Sequence, residues 1–125
     1  MSYNSENARI LGALGEEKVA KFLKSKGCII LKRNYRDRYG EVDIIAESKQ
    51  NIIFVEVKTR NKNALVSGLD AIDEKKMRLI KNEALMFTKR LNTDLEPRID
   101  VAELTYSETP NGKFKWELNY IKSAF

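Results

Sequence analysis

The chain of 125 residues contains no histidine and a single cysteine, Cys28. Without imidazole, Ser/His/Asp and Cys/His nucleophilic catalysis, histidine general bases and histidine-ligated zinc are all excluded. A lone cysteine cannot close an internal disulfide, so the expected compartment is the cytoplasm. Prolines number two, Pro97 and Pro110, and glycines six. No Pro/Gly/Ser-rich linker, low-complexity tract or internal repeat divides the chain, and one domain over residues 1–125 is expected. No apolar run approaches the roughly 18 residues of a membrane helix. The segment Met1-Ser2-Tyr3-Asn4-Ser5-Glu6-Asn7 lacks a basic-then-apolar signal pattern. No membrane partner is expected.

What is present is charge: 23 Lys and Arg against 18 Asp and Glu, a net +5. The mild excess permits a polyanionic partner such as nucleic acid without requiring one. Any catalysis must run on carboxylates, Lys, Tyr or a hard metal held by oxygen.

Periodicity predicts seven elements. Ile10, Leu11, Leu14, Val19, Phe22 and Leu23 recur at helical spacing, which predicts a helix from about Ser5 to Lys26 stopped by Gly27. A short strand Cys28–Leu31 and a basic loop Lys32–Gly40 follow. Two strands, Glu41–Ala46 and Ile52–Lys58, are apolar on both faces, the mark of strands covered on each side. A second helix is predicted from about Asp70 to Leu91, where Met77, Ile80, Ala84, Phe87 and Leu91 form a stripe. Strands Arg98–Thr105 and Phe114–Ile121 close the chain around the turn Pro110-Asn111-Gly112. The order α-β-β-β-α-β-β packs most economically as an α/β fold, one sheet with helices on its faces.

Three ionisable residues interrupt the doubly apolar strands: Asp43 between Val42 and Ile44, and Glu56 and Lys58 around Val57. Burying an unpaired carboxylate costs several kcal/mol, so something must offset it. With a four-residue Ser48–Asn51 loop, Ile45 pairs with Phe54 and Asp43 falls opposite Glu56, their Cβ atoms about 4.5–5.5 Å apart. Facing carboxylates repel and raise each other's proton affinity. A hard divalent cation, Mg²⁺ or Mn²⁺, bound between them would relieve this, and Lys58 on the same face could hold water or a phosphate oxygen. Such a set can hydrolyse a phosphodiester. Glu-x-Lys occurs four times in the chain, but only Glu56-Val57-Lys58 lies in an apolar strand after an aspartate in a neighbouring one. The alternative is an exposed strand end with Glu56 and Lys58 as a solvated pair.

At these residues the sequence resembles the PD-(D/E)xK nuclease superfamily, and more narrowly the YraN-like family of bacterial proteins, predicted nucleases related to archaeal Holliday-junction resolvases. The resemblance is carried by Gly12-x-x-Gly15-Glu16 with Ala20 and Leu23, Arg33-Asn34-Tyr35-Arg36, Gly40 to Ala46, Phe54 to Arg60, Lys76, Arg98-Ile99-Asp100-Val101 and Ala124-Phe125. It implies a restriction-endonuclease-like αβββαβ core, a central mixed sheet flanked by helices. It implies that Asp43 and Glu56 hold the metal with the Val57 carbonyl, that Lys58 positions or deprotonates the attacking water, and that Glu16 adds a further acid. Its relation to junction resolvases, which cut two equivalent strands, raises a two-fold homodimer.

Arg33, Asn34, Tyr35 and Arg36 form a basic, aromatic-bearing stretch suited to gripping phosphates and stacking a base. Arg60 could clamp a phosphate, and Lys76 joins the nucleic-acid contacts through the resemblance. Cys28 reads as a packed thiol and Trp116 and Tyr120 as packing residues. The expected activity is Mg²⁺-dependent cleavage of DNA, branched or structured DNA included, with RNA left open. The alternatives are a non-cleaving nucleic-acid-binding module acting through a partner, and a structural adaptor.

Overall fold

The computed structural model describes residues 5–63 and 74–125. Helix α1 spans Ser5–Ser25, strands β1, β2 and β3 span Ile29–Asp37, Gly40–Glu47 and Asn51–Asn61, helix α2 spans Glu74–Leu91, and strands β4 and β5 span Glu96–Glu108 and Phe114–Ile121. The predicted start of the second helix, residues 70–73, lies outside the described residues. The strands form one sheet in the order β1-β2-β3-β4-β5. Only β3 and β4 run parallel, joined by the α2 crossover, and the other neighbours are antiparallel. This mixed sheet flanked by helices is the expected αβββαβ order with β5 added at the edge.

Each helix covers one face. Val19, Ala20 and Leu23 of α1 pack on Ile44, Ala46, Ile53, Val55, Ala102 and Leu104. Ile80, Ala84 and Phe87 of α2 pack on Val42, Ile45, Ile52, Phe54 and Ile99. Cys28, Trp116 and Tyr120 pack against the α1-side core, as expected. The helix stripes are shorter than the spacing suggests: Ile10, Leu14 and Leu91 remain exposed. The close contact of α1 with the sheet is made at Gly15, where an added Cβ would collide with the Thr59 hydroxyl. A side chain there would hold the helix away from β3.

The basic stretch after Leu31 is a strand, not a loop. Strand β1 runs on to Asp37 and pairs with β2 through Arg36↔Glu41 and Asp37↔Gly40. It lies at the sheet edge with Lys32, Arg33 and Arg36 exposed, so its charge comes from an open edge rather than from absence of strand structure, a common protection against edge pairing.

Both β1 and β2 switch faces at one level. Arg33 reaches Glu17 of α1, whereas Tyr35 packs edge-on to Phe87 of α2; two residues apart on a regular strand they would share a face. Between them Asn34 has φ 50°, a left-handed conformation that Asn tolerates better than most residues. On β2, Ile44 faces α1 while Val42 and Ile45 both face α2. Asp43 sits at that break in alternation.

Candidate active site

The register of β2 with β3 is the expected one as far as it goes: Glu47↔Ile52, Ala46↔Ile53, Ile45↔Phe54 and Ile44↔Val55. The ladder ends there. Asp43 and Glu56 do not form the expected cross-strand backbone pair. Instead Asp43 Oδ2 accepts a hydrogen bond from the Val57 backbone N–H at 2.8 Å. The β2 backbone has turned away and a side-chain oxygen replaces the acceptor it would have supplied. Beyond this point β3 is held mainly by its parallel partner β4, whose pairing runs from Asn51↔Glu96 to Asn61↔Tyr106.

The consequence is a cluster of mixed charge where β2 and β3 part. Glu56 is only 3% exposed. Its Oε1 accepts from Lys76 Nζ of α2 at 2.7 Å and lies 3.6 Å from Lys58 Nζ. Its Oε2 is buried without a donor among the described residues. Asp43 is close enough for Glu56 to act on it through charge and direct side-chain contact. Burial first, and then the Glu56 carboxylate, push the Asp43 carboxyl up to about 7, against the stabilising Val57 amide.

The two lysines diverge. Burial lowers the Lys58 ammonium, and the neighbouring Lys76 adds to this against the pull of Glu56. Burial also acts to lower Lys76, but its hydrogen bond to Glu56 and the carboxylate charge outweigh that and raise it. Lys76 is therefore the committed cation, and Lys58 the one closer to exchanging a proton. Glu16 on α1 is raised by burial and by the charges of Glu41 and Glu56, while Arg33 lowers it. It shares the field of the pocket, but among the described residues no three acidic or thiol side chains converge into a metal cage.

A hard cation fits the remaining donors. Mg²⁺ commonly takes one or two carboxylates and keeps several waters. Asp43 and the unpartnered Glu56 Oε2 supply such a pair, and a bound cation would remove both the repulsion and the orphaned oxygen.

The residues expected to contact nucleic acid are dispersed. Arg33 pairs with Glu17 at 2.8 Å and Arg36 with Glu41 at 3.1 Å, both exposed. Tyr35 accepts from Arg90 Nη2 at 2.9 Å and turns its ring into the α2-side core. Arg60 pairs with Glu103 at 3.1 Å. Lys76 joins the carboxylate pocket itself.

Two further polar clusters have no role in the sequence reading, although Arg98 and Asp100 belong to a stretch that carries the resemblance. Asp100, wholly buried, accepts from Arg98 Nε and Nη2, from the Tyr120 hydroxyl and from the Ser123 N–H. Glu83 of α2 is 1% exposed, with both carboxyl oxygens lacking a donor among the described residues. Burial and the adjacent Asp37 raise it to about 7. Asp100 carried the same signal as Asp43, an acid between two apolar residues, Ile99 and Val101, whereas Glu83 follows Lys81 and Asn82 and only its helical spacing from Ile80 and Phe87 sets it on the apolar stripe.

Comparison with known proteins places the chain. Residues 15–104 match the uncharacterised protein family UPF0102. A UPF0102 protein of Caldicellulosiruptor saccharolyticus is 42% identical over 120 residues, covering 95% of this chain and 99% of the relative. Those of Syntrophomonas wolfei and Alkaliphilus oremlandii are 38% and 37% identical over 118 residues, covering 94% and 92% of this chain and 98% and 97% of theirs. The match spans both strands of the carboxylate pocket and the helix segment from Gly15 onward, so the chain belongs to the uncharacterised protein family UPF0102, the YraN-like family that its motifs resemble.

Proposed function

We propose that this protein is a metal-dependent endonuclease that hydrolyses phosphodiester bonds in DNA, branched or structured DNA included. The observation that carries the reading is the buried Glu56, one oxygen on Lys76 and the other without a donor among the described residues, beside an Asp43 carboxyl raised by burial and by Glu56 itself. Structural ion pairs do not leave a buried acceptor empty as a rule, because each such oxygen costs about 1–3 kcal/mol. Perturbed acids beside a lysine at the end of an ion-pair network are the composition expected of a site that handles charge. The PD-(D/E)xK resemblance points the same way.

In this reading Asp43 and Glu56 hold Mg²⁺ or Mn²⁺, and the Val57 N–H fixes the rotamer of Asp43. The cation, when bound, supplies Lewis acidity at the scissile phosphate and lowers the pKa of water. Lys58, with its lowered proton affinity, orients the attacking water or takes its proton, a contribution on the order of 10²–10⁴ in rate. Lys76 keeps Glu56 oriented and adds positive charge toward the phosphate. Glu16 adds negative field on the α1 side.

The test is incubation of purified protein with plasmid, single-stranded and four-way-junction DNA in Mg²⁺ or Mn²⁺. Cleavage is expected to vanish in Asp43→Asn and Glu56→Gln. Equal cleavage by those variants would defeat the reading.

The Lys76–Glu56 ion pair also favours a second reading, a DNA-binding module that does not cut, since an internal ammonium already neutralises the acid. Salt-sensitive DNA binding with no cation-dependent cleavage would select it.

A further inference from the structure

At the far end of the sheet from Glu56, the last turn of α1, the β2–β3 hairpin and the starts of β3 and β4 enclose a cavity of about 530 Å³. This lies within the range of small-ligand pockets, about 300–1,000 Å³. Thirteen residues line it; four are cationic, Lys26, Lys49, Arg98 and Lys122, and none is acidic. Asp100, the carboxylate that pairs with Arg98, is wholly buried and held also by Tyr120 and the Ser123 amide. The Arg98 charge is thereby cancelled.

Lys26, Lys49 and Lys122 are different. None has a carboxylate within ion-pair distance among the described residues, whereas Lys58, Arg60 and Lys76 at the other end each do. Three uncompensated ammonium groups around one concavity repel one another, and an anion between them relieves this. The wall is aromatic: Phe22 and Tyr120 lie with ring centroids 5.0 Å apart, and Lys26 Nζ stands 5.6 Å from the Phe22 centroid. Cation and ring face thus adjoin, as phosphate and base do in a nucleotide. Stacking on such a face is worth about 1–3 kcal/mol per base.

We propose that this cavity binds a nucleoside monophosphate unit, its phosphate among Lys26, Lys49 and Lys122 and its base against Phe22 and Tyr120. The unit is either a free nucleotide or the phosphorylated end of a strand. The site is separate from the carboxylate pocket and does not rest on the nuclease reading.

Calorimetric titration at low salt with AMP, adenosine and inorganic phosphate tests it on the whole chain. AMP is expected to bind, with adenosine and phosphate each weaker by about tenfold or more. The double variant Lys49→Glu/Lys122→Glu is expected to lose about tenfold or more in AMP affinity. Both lysines are exposed, so the variant should keep its circular dichroism and melting temperature. Asp43→Asn is expected to leave AMP binding unchanged. A 5′-phosphorylated tetranucleotide that binds more tightly than AMP, and than its unphosphorylated form, assigns the site to strand ends; tighter binding of AMP assigns it to free nucleotide. No AMP binding at low salt, undiminished binding in the folded double variant, phosphate binding as tight as AMP, or loss of binding in Asp43→Asn would each overturn the proposal.

Discussion

The Asp43 carboxylate takes the Val57 backbone N–H at 2.8 Å, just beyond the last backbone pair between their strands. One side-chain oxygen therefore closes the sheet where the backbone no longer does. The same carboxyl also meets the Glu56 side chain. Asp43 serves structure and site at once, and its substitutions separate the two roles.

Asp43→Asn keeps an oxygen for the Val57 amide while removing the charge. Asp43 is raised to about 7 from 3.8. The folded state thus binds its proton more tightly than the unfolded chain. The stability this gives is complete below about pH 4 and is lost as pH rises to about 7. Asp43→Asn is expected to flatten that slope and raise the melting temperature at neutral pH without cation. Addition of Mn²⁺ should stabilise the wild type and leave the variant unmoved, read by thermal denaturation.

Lys76→Met removes the ammonium 2.7 Å from Glu56. A divalent ion then meets one positive charge fewer. Its affinity is expected to rise by about tenfold, on the order of 1–2 kcal/mol at a partly exposed site. Titration of Mn²⁺ into metal-stripped protein measures this, and an unchanged or weaker affinity would count against the cation site at Glu56.

Glu83→Gln addresses the second acid pair. Glu83 is raised from 4.5 to about 7 by burial and by Asp37. Its protonation supports the fold fully below about pH 4.5, and this support fades toward pH 7, with an upper bound of about 3 kcal/mol. Glutamine keeps a donor toward Asp37 and carries no charge. The variant is expected to be more stable than wild type at about pH 8 and close to it at about pH 4, measured by urea unfolding at each pH.

Asp100→Ala would leave the Arg98 guanidinium, the Tyr120 hydroxyl and the Ser123 amide without their shared acceptor. A loss of about 3–5 kcal/mol is expected, because a partly buried cation is stranded. Tyr120→Phe removes one hydrogen bond and should cost about 1–2 kcal/mol. Chemical denaturation of the two variants compares them directly.

The fold was legible wherever burial shaped the sequence. Strands β2 and β3 are apolar on both faces because α1 and α2 cover them, and their hairpin fixed the register through Ile44↔Val55. Strand β1 was misread because Lys32, Arg33 and Arg36 line an open edge, where a strand needs no apolar period. The departure of Asp43 from the ladder was hidden for another reason. It depends on a face switch shared with Asn34 on the neighbouring strand, and nothing in a local pattern of alternation records a positive φ across a sheet. Lys76 stands out from its charged neighbours only through the family resemblance, which implies a nucleic-acid contact; the crossover of α2 over the sheet brings it instead to Glu56.

The missing side chain at Gly15 governs more than packing. It lets α1 settle against Thr59 at a depth no larger residue permits. Glu16, next along the helix, rides at that same depth, within the electrostatic reach of Glu56. A methyl group at residue 15 would lift that carboxylate away from the opening without removing any charged group from the chain, so the potential at the opening is tuned by the clearance between helix and sheet.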